Sequence, residues 1–195
     1  GVCHGCSCES YRLVGGRSSD LNILFICTGN ICRSPIAERM AGFFASSYGL
    51  ADLAFSSAGT RAVVGRPMHQ EAALMVKQLG GDPSSFAARQ FTPKIAAEAD
   101  LLLTMTRAHR ESVLERQPRF LHRTYTLSEA ACISVEPGIS TIAEFAEVRP
   151  RMAGRALADI PDPIGQSSEV FAAAASQIVD RLLPIVELLR RTHQL

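Results

Sequence analysis

The chain has 195 residues, 47% hydrophobic and 20% charged, which suffices for one substantial core and excludes the disordered class. Its 20 Lys and Arg residues face 19 Asp and Glu, and a net charge of +1 excludes nucleic acid or an anionic membrane as the principal partner. No apolar run reaches the ~20 residues needed to span a bilayer, and residues 1–20 lack the apolar stretch of a secretory signal.

Residues 1–19 read as an irregular extension. Cys3, His4, Cys6 and Cys8 could offer four ligands to a soft metal, but their spacing is tight and no second ligand pair follows. A flexible extension is expected, joined through Gly15, Gly16, Ser18 and Ser19 to a single domain over 20–195. Residues 21–27 (LNILFIC) form a short apolar run suited to a strand buried on both faces. Thr28-Gly29-Asn30 is a turn signal, and Ser34-Pro35 opens a helix, with Ser34 as its cap. The same rhythm repeats: a strand over 53–58 ended by Gly59, then a helix over 71–79 stopped by Gly80-Gly81. Thr92-Pro93 caps a short helix. A buried strand covers 101–105, a helix 107–116, and a short strand 124–127, after which Ser128 caps a helix through 131. Pro137, Gly138, Pro150 and Gly154 break residues 133–158 into a partly helical insertion. Residues 167–191 form a long last helix, with a kink expected at Pro184. Strands alternating with helices imply a parallel sheet covered on both faces, with ligands at the carboxyl ends of its strands.

The six cysteines are unevenly spread, with Cys27, Cys32 and Cys132 outside the extension. That distribution fits a reducing, cytoplasmic setting with one working thiol rather than a disulfide framework. The working stretch is Cys27-Thr28-Gly29-Asn30-Ile31-Cys32-Arg33-Ser34-Pro35. A short loop between strand and helix can curl so that its amides point inward and form an anion nest. The helix opening behind it adds free N–H groups and the positive end of its dipole. Arg33 supplies a planar fork for two phosphate oxygens. Cys27 stands at the mouth of this positive concavity, where every feature favours the thiolate, and Ser34 can donate to that sulfur. Gly29 and Asn30 tolerate the positive φ of a tight curl. A thiolate beneath a phosphate cradle is a nucleophile aimed at phosphorus.

CTGNICRSP resembles the signature of the low-molecular-weight protein tyrosine phosphatases: Cys, five residues, Arg, Ser. The segment Ser56-Ser57-Ala58-Gly59-Thr60 resembles the end of that family's second strand, and Asp162-Pro163 its general-acid dipeptide. The overall spacing is similar to that of bacterial members, including those paired with tyrosine kinases of polysaccharide export. The resemblance covers roughly 20–191, apart from most of 133–158. It implies a three-layer α/β/α fold of the flavodoxin-like kind, with a four-stranded parallel sheet in the order 2-1-3-4. Cys27, Arg33 and Asp162 would be catalytic, and Thr28, Gly29, Asn30, Ile31, Cys32 and Ser34 would bind the phosphate, with Ser57 in support. The reaction would be hydrolysis of phosphotyrosine on proteins through a cysteinyl-phosphate, by a monomer needing no metal and no cofactor.

The segment Asp159-Ile160-Pro161-Asp162-Pro163 offers two carboxylates for the proton that the leaving oxygen needs. From the residues alone the choice stays open; the resemblance places the acid at Asp162. Cys32 reads equally as a packing residue under the loop and, by the resemblance, as partner in a reversible disulfide with Cys27. Many relatives carry an aromatic residue where Ile164 stands, and Arg61-Ala62-Val63-Val64 also lacks one, so the walls are expected to be aliphatic and broad. His69, His109, His122 and His193 share no motif and read as surface or packing residues. Arg149, Arg151 and Arg155 read as a solvated face, with docking of an acidic partner as the alternative. Two other function classes fit the same loop: an arsenate reductase, and a phosphotyrosine-binding protein without turnover.

Overall fold

The computed structural model describes residues 21–193. The extension 1–19, with Cys3, His4, Cys6 and Cys8, lies outside the described residues. Four strands, β1 (Leu21–Cys27), β2 (Leu53–Gly59), β3 (Leu101–Thr104) and β4 (Thr124–Thr126), form one parallel sheet in the order β2-β1-β3-β4. The helices are α1 (Arg33–Ser47), α2 (Gln70–Gln78), α3 (Pro93–Ala97), α4 (Arg107–Arg116), α5 (Leu127–Ser134), α6 (Phe145–Val148) and α7 (Ser168–His193).

The apolar run of β1 is explained by its two faces. Ile23, Phe25 and Cys27 join one core with Ile36 and Met40 of α1 and Phe171, Ile178 and Leu182 of α7. The alternate residues Leu24 and Ile26 join a second core with Leu102, Val113 and Phe120. Burying both faces removes the polar alternation of a half-exposed strand, and each fully buried Leu or Ile contributes about 1.5–3 kcal/mol. The three-layer fold and its strand order match the sequence expectation.

Two caps differ from it. The first residue of α1 is Arg33, its N-cap position is Cys32, and no side chain caps it. The Ser34 hydroxyl is engaged elsewhere, on Cys27 and Asn30. Helix α5 is capped by Thr126, whose side chain accepts from the Glu129 amide while the Glu129 carboxylate accepts from the Thr126 amide, a capping box. Ser128 lies inside that helix; its hydroxyl donates to the Ala158 carbonyl at 2.6 Å and accepts from Arg181 Nε at 2.7 Å. Thr92 caps α3 as expected. Between α5 and α7 the chain takes 3-10 turns at Ile142–Glu144 and Arg149–Met152 around α6, and α7 continues through Pro184. No helix among the described residues is long and apolar enough to cross a membrane.

Candidate active site

The register of the sheet sets Cys27 beside Gly59, and Ile26 beside Thr104. The loops that leave β1, β2 and β3 therefore meet at one end. The loop from Thr28 to Cys32 is fixed from outside by its carbonyls. Thr60 N donates to the Cys27 carbonyl at 2.9 Å, Arg61 N to Thr28 at 3.0 Å, Val63 N to Gly29 at 3.0 Å and His69 N to Ile31 at 2.7 Å. The amides from Thr28 to Cys32 find no acceptor among the described residues. Carbonyls out and amides in is the arrangement of an anion nest.

Asn30 makes the curl possible. Its φ of 55 lies in the left-handed region, which Asn tolerates better than most residues. The side chain is fully buried: Nδ2 donates to Ser34 Oγ at 3.0 Å and to Ser57 Oγ at 2.8 Å, and Oδ1 accepts from Arg89 N at 2.8 Å. Ser57 passes its own hydrogen to Glu38 Oε2 at 2.5 Å. Burial pushes the Glu38 carboxyl up, and the Ser57 hydrogen bond opposes that shift. Gly29 does not take positive φ, and a Cβ there would meet its neighbours at an ordinary 3.6 Å.

The sulfur of Cys27 lies 2.9 Å from Ser34 Oγ. Arg33 is buried; Nη1 donates to the Ile160 carbonyl at 3.1 Å and Nη2 to Asp162 Oδ2 at 2.7 Å. Asp162 is half-exposed, and its other oxygen accepts from Ile164 N at 3.2 Å. Asp159, the other carboxylate in the segment, is turned away to Arg107, whose amide it accepts at 2.9 Å. Burial and the Cys27 charge beside it push the Cys32 thiol up far beyond its ordinary range, so Cys32 stays protonated. Both cysteines are free thiols here. The rim is aliphatic: Val63, Val64 and Ile164 are exposed, and Val63 and Ile164 touch Gly29 and Asp162 directly.

The structure thus brings Cys27, Thr28, Asn30, Arg33, Ser34, Ser57 and Asp162 into one cluster. It adds residues that the sequence reading had set aside. His109 is buried, its Nε2 lies 2.8 Å from Thr28 Oγ1 and its Nδ1 2.9 Å from Thr106 Oγ1. Burial, with the Arg33 charge, lowers its pKa to about 4, so the ring is neutral. It is neither a surface nor a plain packing histidine. Neither Glu38 nor the Arg89 amide had been given a place in the site. His109 and Arg89 lie far from the loop in sequence and carry no local signal, and only the sheet order brings them to it; Glu38 sits in α1 just behind the loop, but a lone helical Glu reads as a surface charge.

A model of the low molecular weight phosphotyrosine protein phosphatases matches residues 22–195. The Wzb low molecular weight protein-tyrosine-phosphatase of Salmonella typhimurium is 28% identical over 159 residues, which cover 77% of this chain and 82% of Wzb. A protein-arginine-phosphatase of Geobacillus stearothermophilus is 29% identical over 163 residues, covering 82% and 92%. The crystal structure of the tyrosine phosphatase Wzb from Escherichia coli K30 with sulphate superposes with a TM-score of 0.67 at 26% identity, covering 86% of this chain and 97% of that one.

Proposed function

The chain belongs to the low molecular weight phosphotyrosine protein phosphatase family, and from that premise we propose that it hydrolyses phosphotyrosine monoesters on proteins through a cysteinyl-phosphate on Cys27. The observation that carries this reading is the convergence of a nucleophilic sulfur, a buried guanidinium and a carboxylate. Ser34 Oγ stands 2.9 Å from the sulfur, and Asp162 stands 2.7 Å from Arg33.

The incoming phosphate displaces the Asp162 carboxylate from Arg33 and takes the guanidinium fork for two of its oxygens. Amides 28 to 32 take the rest of the charge. The Cys27 sulfur, 2.9 Å from Ser34 Oγ, attacks phosphorus in line as its thiolate. A P–S bond forms as the P–O ester bond breaks, and Asp162, which takes a proton from solvent once it is off the guanidinium, gives that proton to the leaving phenolate. Water then attacks the cysteinyl-phosphate and passes a proton to Asp162. The P–S bond breaks, and inorganic phosphate and the thiolate are released. Asn30 and Ser57 position Ser34 and the loop. Neither a metal nor a cofactor enters either step. The same reading takes residues 20–195 as one catalytic domain, acting in the cytoplasm as a monomer on tyrosine-phosphorylated protein, a bacterial tyrosine kinase among the candidates.

The test is turnover of p-nitrophenyl phosphate and of phosphotyrosine and phosphoarginine peptides, and of arsenate with thiols. Aryl phosphate hydrolysis should vanish in Cys27→Ser and fall by about 10²–10⁴ in Asp162→Ala. Arsenite production without hydrolysis would move the chain to the reductases. Hydrolysis of phosphoarginine alone would move it to the chemistry named for the Geobacillus relative. Phosphopeptide binding without any turnover would leave it a binding protein.

A further inference from the structure

A second concavity of about 280 Å³ opens at the carboxyl end of the sheet, on the β4 side of the acid loop. Its walls carry four arginines, Arg107, Arg110, Arg149 and Arg155, against the single carboxylate of Glu129, over an apolar floor of Met152 and Leu157. Two of the four are closely paired. Arg149 grips Glu129 with hydrogen bonds of 2.8 and 3.0 Å, and Arg155 meets Glu136 at 2.7 Å. Arg107 reaches Asp159 only at 3.6 Å, and its side chain is 71% exposed. Arg110 has no ion pair among the described residues: Nε donates to the Thr124 carbonyl at 3.2 Å, and its two terminal nitrogens have no acceptor. Burial and the neighbouring Arg149 guanidinium depress its ionisation, and Glu129 and Glu111 offset them only in part. An unfilled guanidinium fork in a cleft of net positive charge fits a planar or tetrahedral oxyanion.

The cleft shares a wall with the acid loop. Leu157 lines it, the Ala158 carbonyl is held by Ser128, and Asp159 is held by the Arg107 amide. Asp162 lies five positions beyond Leu157, a reach of at most ~18 Å. An extended peptide advances ~3.3 Å per residue, so a side chain three to five positions from the reacting one spans that gap. We propose that this cleft is a subsite for a second oxyanion side chain of the substrate, a phosphate or a carboxylate lying three to five residues from the phosphotyrosine. The proposal rests on the phosphatase reading above. It gives the protein a preference for multiply phosphorylated or acid-flanked segments.

Three peptides test it: one phosphotyrosine with neutral flanks, the same with Glu four residues away on either side, and the same with a second phosphotyrosine there. Wild type should show a kcat/KM at least about fivefold higher for a charged peptide than for the neutral one. Arg110→Gln should reduce that ratio below about twofold with p-nitrophenyl phosphate turnover unchanged; Arg107→Gln, at an exposed and loosely paired position, carries the same test if Arg110→Gln fails to fold. A gain with the second phosphotyrosine alone identifies phosphate as the group, and a gain with Glu as well identifies any carboxylate. Equal rates on all three peptides, or a preference untouched by both substitutions, overturns the proposal. Binding of the same peptides to Cys27→Ser, read by fluorescence anisotropy, separates the two readings. If p-nitrophenyl phosphate is not hydrolysed, the phosphatase reading fails, while tighter binding of the charged peptides that is lost on adding Arg110→Gln still supports the cleft.

Discussion

His109 is neutral at pH 7 because burial, and then the Arg33 charge, hold its pKa at about 4 against an ordinary 6.5. Both ring nitrogens are engaged, one with Thr28 of the loop after β1 and one with Thr106. Between those two values the unfolded chain binds the proton and the folded one does not. The stability that the neutral ring contributes is therefore fully present above pH 6.5 and is lost as the pH falls toward 4. Urea midpoints measured across that window should fall more steeply for wild type than for His109→Gln, whose amide can still reach Thr28. Parallel pH profiles for the two proteins would remove the burial argument. This residue also marks where the sequence falls silent. Thr28 and His109 lie 81 positions apart, and nothing around either betrays the other. Asn30 differs: its place in a five-residue gap between Cys and Arg was itself the clue, and its φ of 55 and three buried hydrogen bonds give the reason.

Strand β2 ends where it must let the loop after β1 pass. Gly59 donates to the Arg89 carbonyl at 3.0 Å and accepts from Phe91 at 2.8 Å, and a Cβ there would collide with the Thr28 carbonyl and with Ala62. Gly59→Ala must push that loop aside. It should cost about 1–3 kcal/mol of stability and about tenfold or more in kcat/KM, read by thermal melting and turnover. Gly42→Ala is the matched control: inside α1, with nothing within 4 Å of the new methyl, it should gain about 0.5–1 kcal/mol and leave turnover alone. Normal activity in Gly59→Ala would mean that the approach is looser than the geometry implies. Elements were legible where one local force acts. Burial on two faces made β1 readable, and Thr92-Pro93 made α3 readable. They were misread where a hydroxyl had a distant partner. Ser34 answers to Cys27 and Asn30, and Ser128 to Ala158 and Arg181, so neither caps the helix that its neighbours suggested.

Across the whole molecule, the site is assembled from segments that the parallel sheet brings together: the β1 loop, Ser57 of β2, Thr106 and His109 after β3, and the 159–162 segment before α7. A ligand that bridges them stabilises the folded state globally. Phosphate at a hundred times its Kd should add about 2.7 kcal/mol and raise Tm by roughly 5–10 °C for a chain of this size. Arg33→Met should abolish the shift, and a shift that survives that change would place the anion elsewhere. The order of the sheet was predictable from the alternation of strands and helices together with the family likeness, but the Arg-lined cleft showed only through Arg149 and Arg155, which stood out as part of a local basic group. Its arginines come from positions 107 to 155, and only folding sets them around one space. The contact between Arg33 and Asp162 has a kinetic consequence. A guanidinium already engaged by its own chain admits a competitor only at the expense of that bond, so the carboxylate proposed as the acid also loosens the grip on whatever arrives. Deleting it should uncouple the two effects: Asp162→Ala should lose turnover yet bind inorganic phosphate about three- to tenfold more tightly than wild type.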